Sequence, residues 1–272
     1  GTIVNYGTVY SNHEQYNNAY TAIGGVFGES KASFKNVVNE GIAYYIINND
    51  TGVYKHIYVG GVVGYANGDI TITSAENKGG AYINISKAIA VKHYNLCTGG
   101  VLGTNNDSKT VALVNCVNSG SVSVKGGGTK TNGRSIAIGG IVGALTNGAS
   151  SITGCTNTGY LNNNSSNNTN EVWAIRAGGG CNYLGGIAGY VEGAEGDLLA
   201  VTGCTNNRVG GTDDGIGNAG YAIYTLRGSS AGLIGGAKFA DIQNCNCTTD
   251  IYNTNSTTPA GLVATMTNSN LE

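Results

Sequence analysis

Short runs in which apolar and polar residues alternate recur along the whole chain, as in Asp69-Ile70-Thr71-Ile72-Thr73 and Gly120-Ser121-Val122-Ser123-Val124. Alternation with a period of two places β-branched residues on one face of a strand, and no segment shows a sustained helical period. A five-residue row, Gly-Gly-aliphatic-aliphatic-Gly, punctuates these runs. It reads Gly24-Gly25-Val26-Phe27-Gly28, Gly60-Gly61-Val62-Val63-Gly64, Gly99-Gly100-Val101-Leu102-Gly103, Gly139-Gly140-Ile141-Val142-Gly143 and Gly185-Gly186-Ile187-Ala188-Gly189, followed by looser copies at 231–235 and 260–264. Successive starts lie 36, 39, 40, 46, 46 and 29 residues apart, so the unit is constant and its loops vary.

A second row follows each first one, as in Val37-Val38-Asn39-Glu40-Gly41, Ala75-Glu76-Asn77-Lys78-Gly79, Cys116-Val117-Asn118-Ser119-Gly120 and Cys155-Thr156-Asn157-Thr158-Gly159. Two rows recurring in order predict an all-β chain folded as a parallel β-helix, or β-solenoid, of about seven coils with a repeat of 36–46 residues. Glycine at the corners admits positive φ and asparagine tolerates it, so Asn-x-Gly marks a bend. Each coil is expected to hold two or three strands. Val62, Val101, Ile141 and Ile187 are expected to form buried columns, and the asparagines a hydrogen-bonded ladder. With strands about 4.8 Å apart the rod is on the order of 35 Å long.

Composition narrows the function classes. Charged residues make up 11 % and the net charge is −2, which leaves no basic field for nucleic acid or anionic lipid. Solubility rests on Asn, Ser and Thr, as in the run from Asn162 to Asn168. No apolar stretch approaches the roughly 18 residues of a membrane helix, and no signal-peptide pattern opens the chain. The sequence starts in mid-repeat, so residues 1–272 read as one solenoid domain cut from a longer protein.

The Gly-Gly-Ile/Val-Val-Gly and Cys-x-Asn-x-Gly rows resemble the GLUG-motif repeats of bacterial surface proteins, over nearly the whole chain. That family includes adhesin-like proteins and the non-catalytic region of some immunoglobulin A1 metalloproteases. The resemblance implies a secreted or cell-surface location and brings no catalytic residues with it.

Candidate chemistry is sparse. Cys116, Cys155, Cys204 and Cys245 share one repeat position, filled elsewhere by Val37 and Ala75, which points to a buried thiol column. A bridge between adjacent coils, such as Cys116 to Cys155, is the alternative. Metal-ligand spacing is lacking, since Cys245-x-Cys247 has no second pair and His13, His56 and His93 sit as loop or edge residues in different repeats. The 16 acidic residues are scattered, and Gly126-Gly127-Gly128 lacks the strand-to-helix context of a phosphate loop, so no catalytic residue and no cofactor is assigned.

Seventeen tyrosines against three phenylalanines and one tryptophan favour exposed, ring-bearing surfaces. Tyr65 and Tyr190 each follow a Gly-Gly row, and Trp173 lies near Arg176 in the longest loop region; these four are the candidate ligand-binding residues. The expected function is a non-catalytic, adhesin-like module that binds a host protein or glycan or acts as a spacer. The alternatives are a β-helix polysaccharide lyase or hydrolase and a filament subunit that associates end to end.

Overall fold

The computed structural model describes residues 1–11, 20–47, 56–85, 95–125, 136–159, 175–177, 183–207, 223–225, 229–253 and 258–272. The fold is a parallel β-solenoid of seven coils. Among the described residues the strands assemble into five sheets of seven strands each, and every sheet takes one strand from each coil. We number the sheets 1 to 5 in the order in which a coil visits them. Coil 3, for example, contributes Glu76–Asn77, Gly80–Ile85, Asn95–Gly99, Leu102–Asn105 and Val111–Val114.

Five strands per coil replace the expected two or three. The sheet 1 strands are mostly two or three residues long, too short for alternation to show in sequence. Registers are nevertheless strict: the Asn-x-Gly asparagines stack from Asn5 through Asn39, Asn77, Asn118 and Asn157 to Asn206.

The expected asparagine ladder is present. Each side-chain amide donates to the Oδ1 of the next, at 2.9, 2.9, 2.7, 2.8 and 3.0 Å from Asn5 to Asn206. Asn206 ends the series by donating to the Gly232 carbonyl at 2.6 Å. Asn39 through Asn206 are buried, and a buried amide is tolerated only when its hydrogen bonds are made.

The glycines act differently from the expectation. Left-handed φ occurs in another column, at Asn36, Ser74, Asn115, Gly154, Gly203 and Asn244, where sheet 5 turns into sheet 1. The Gly-Gly row has ordinary φ and is selected for close approach. A β-carbon on Gly61, Gly100 or Gly140 would overlap the side chain of Asn77, Asn118 or Asn157 and a glycine carbonyl of the next coil.

The turn between sheets 3 and 4 thus presses inward onto the asparagine ladder and divides the core into two lobes. One joins sheets 4 and 5 to the head of sheet 1 and holds the fully buried Val62, Val101, Ile141 and Ile187 columns. The other lies between sheets 2 and 3, around Ala43, Ile57, Ile83 and Leu96. The six described cysteines are free thiols; Cys116, Cys155 and Cys204 are fully buried in the first lobe and Cys245 is half-buried beside it. Apolar side chains such as Ile3 and Leu271 are exposed on the outermost coils.

Candidate functional site

An inward turn inside the rod is a re-entrant corner outside it. The outer faces of sheets 3 and 4 look at each other across a groove that runs along the solenoid axis. Its sheet 3 wall is the register column Ala22, Tyr58, Cys97, Ala137, Tyr183, Ser229 and Thr258. The sheet 4 wall is Glu29, Tyr65, Thr104, Ala144, Tyr190, Gly236 and Thr265. In coils 2 and 5 both walls carry tyrosine, whereas in coils 3 and 4 both carry small residues.

This pattern makes a cleft of about 360 Å³. Cys97, Thr104, Ala137 and Ala144 form its floor and are each under a tenth exposed. At one end the rings of Tyr58 and Tyr65 stack at 5.1 Å and 22°, with Tyr20 packed behind them at 5.8 and 4.5 Å. Tyr190 lines the other end, with the Tyr183 ring packed against it at 4.8 Å. Their rings lie over Gly236, where a β-carbon would run into both.

The rim is polar and pinned. Asn105 is buried; its amide donates to the carbonyls of Thr146 and Lys109 at 2.8 and 3.1 Å, and its Oδ1 accepts from the Thr146 amide at 2.9 Å. The Thr146 hydroxyl donates to Asp107 Oδ1 at 2.9 Å, and Asn106 donates to Asn67 at 2.9 Å. These bonds tie the 106–109 turn to coils 2 and 4, so the wall bearing Asp107 is held before any ligand arrives.

Electrostatics keep the rings neutral. Burial, with Cys97, Tyr65 and Asp107 nearby, raises the Tyr58 phenol above its ordinary 10.0. Tyr65 rises through burial and the charges of Asp107 and Glu29, and Tyr190 through burial and its hydrogen bond to Glu192 at 3.0 Å. Burial pushes the Cys97 thiol to about 12, which removes it as a nucleophile near neutrality. Among the described residues no cluster of three or more His, Cys, Asp and Glu is placed to hold a metal ion.

Of the four residues singled out from sequence, Tyr65 and Tyr190 line this one cleft although 125 positions separate them. Arg176 lies on a sheet 2 strand, in register with Ser123 and Tyr224. Trp173, with His13, His93 and Cys181, falls outside the described residues. Sequence reasoning left Tyr58 among the tyrosines of the second repeat on which a ligand could stack without singling it out, missed Asp107 and the floor, and left His56, which opens a strand and lines the cleft, as a loop or edge residue. The signal was available: the position two before each Gly-Gly reads Tyr58, Cys97, Ala137 and Tyr183, and the one after each row reads Tyr65, Thr104, Ala144 and Tyr190.

Comparison of the chain with protein-family models, with curated proteins and with solved structures gives no match in any of the three.

Proposed function

We propose that this chain is a non-catalytic binding module of a secreted or surface-exposed bacterial protein, and that the cleft between sheets 3 and 4 holds a carbohydrate. The observation that carries the reading is the pair of tyrosine walls facing each other over a floor of small residues. Ring faces stack on the apolar C–H faces of sugars, while the Asn, Thr and Asp groups of the rim match their hydroxyls. Asp107 is the one carboxylate among the described lining residues, whereas glycoside cleavage uses two carboxyl groups about 5 to 10 Å apart. Low charge, the polar Asn and Thr surface and the resemblance to GLUG repeats support the surface location.

A glycan array probed with the wild type and with Ala144→Tyr tests this. Tyrosine already occupies the same column in coils 2 and 5, so the variant should fold while its ring fills the cleft. Binding by the wild type and its loss in the variant, with an unchanged melting temperature, is the expected result. Silence of the wild type across the array, or undiminished binding by Ala144→Tyr, would remove the carbohydrate reading in favour of a spacer.

A further inference from the structure

We infer that the cleft receives the end of a glycan chain, or a branch one to two sugars long, and not a stretch from the middle of a polymer. The inference rests on the carbohydrate reading above and adds to it the length and the chain position of the ligand.

The groove runs along the axis, yet it is blocked twice. At coil 2 the Tyr58 and Tyr65 rings close it from both walls, and with centroids 5.1 Å apart no sugar ring passes between them. At coil 5 Tyr183 and Tyr190, 4.8 Å apart, close it the same way. A chain laid through the cleft along the axis would meet a ring pair at each end. A chain entering from the open outer side meets only the floor of Cys97, Thr104, Ala137 and Ala144.

The dimensions set the length. Rows 2 and 5 are three strand spacings apart, about 14 Å, and the small-residue floor between them covers the two rows of coils 3 and 4. A sugar in an extended chain advances by about one strand spacing, so two sugars fill that floor. The volume of about 360 Å³ agrees, lying near the lower end of the roughly 300–1,000 Å³ found for small-molecule pockets.

Asp107 sets the charge. Its carboxylate stands on the pinned 106–109 turn at the rim, with one oxygen held by the Thr146 hydroxyl. A ligand ending in a uronic or sialic acid would bring a like charge to it, so neutral ends are favoured.

Titration calorimetry against cello-, chito- or galacto-oligosaccharides of increasing length, whichever class the array selects, is the test. End recognition predicts one protein per chain at every length and an affinity that stops rising at the disaccharide. A protein-to-chain ratio that climbs with length, with binding still abolished by Ala144→Tyr, overturns end recognition and leaves the carbohydrate reading standing. Binding that Ala144→Tyr does not touch overturns both. A uronate-ended counterpart should bind roughly fivefold more weakly, about the effect of one exposed charge pair, and Asp107→Asn should close that gap. Equal wild-type affinity for neutral and acidic ends would overturn the role given to Asp107.

Discussion

The α-carbon of Gly100 rests directly against the side-chain amide of Asn118, with no space for a β-carbon between them. The same contact recurs as Gly25 on Asn39, Gly61 on Asn77, Gly140 on Asn157 and Gly186 on Asn206. It explains why the two sequence rows occur together: each supplies one half of the contact that pinches the coil. The pinch produces both the two-lobed core and the outer groove.

Gly100→Ala is therefore expected to cost about 3 kcal/mol, since its methyl group meets Asn118 and the Gly140 carbonyl at once. Gly261→Ala, at the same row position in the last coil, has open space within 4 Å and should stay within about 0.5 kcal/mol of wild type. Denaturant unfolding of the two variants checks this. Equal losses would mean that close approach to the ladder is not what selects glycine.

Asn118→Ala should lose about 2–4 kcal/mol, because it strips partners from the Asn77 amide, Asn157 Oδ1 and the Gly120 carbonyl. Asn5→Ala removes the first rung, where the side chain is partly open to water, and should lose about 1 kcal/mol or less. Urea midpoints at constant m-value give the comparison, and a cost at Asn5 as large as at Asn118 would contradict the burial argument.

The cleft tyrosines predict an alkaline limit to stability. A phenol whose pKa is raised by folding contributes stability that is fully present below its unfolded value of 10.0 and is lost as pH climbs through the folded value. Tyr20, pushed to about 12 by burial and by Glu29, follows the same sign. Tyrosinate absorbance should show a late group ionising above pH 10, together with loss of the β-sheet circular dichroism signal. Tyr58→Phe and Tyr190→Phe should each shrink the late amplitude; an unchanged titration curve in both would rule out the buried rings as its source.

The thiol column should be chemically silent in the native protein. Cys116, Cys155 and Cys204 have no exposed surface, and the Cys116 amide donates to Cys155 Sγ at 3.4 Å. Cys155→Ala should cost about 1 kcal/mol, since Ala75 already fills that column in coil 3. Alkylation followed by peptide mass analysis, with and without denaturant, locates the protected thiols. Rapid native labelling of Cys155 would contradict its place in the core.

Much of the architecture is visible in the sequence because a solenoid repeats local spacing. Residues at matched positions, such as Val62, Val101 and Ile141, must stack if the coils stack, and their burial and the asparagine ladder follow from periodicity alone. Strand count per coil does not, because Glu76–Asn77 and Val117–Asn118 pair as strands only when the neighbouring coils hold them.

Sequence by itself determined the coil number, the buried columns and the pairing of the two motif rows. Only the tertiary structure decided which way the Gly-Gly turn points, because that depends on Gly100 meeting Asn118 across the interior of the coil. The direction of that turn makes an outer groove out of residues that alternation marks merely as solvent-facing. It brings Tyr65 and Tyr190, three coils apart, to the two ends of one cleft.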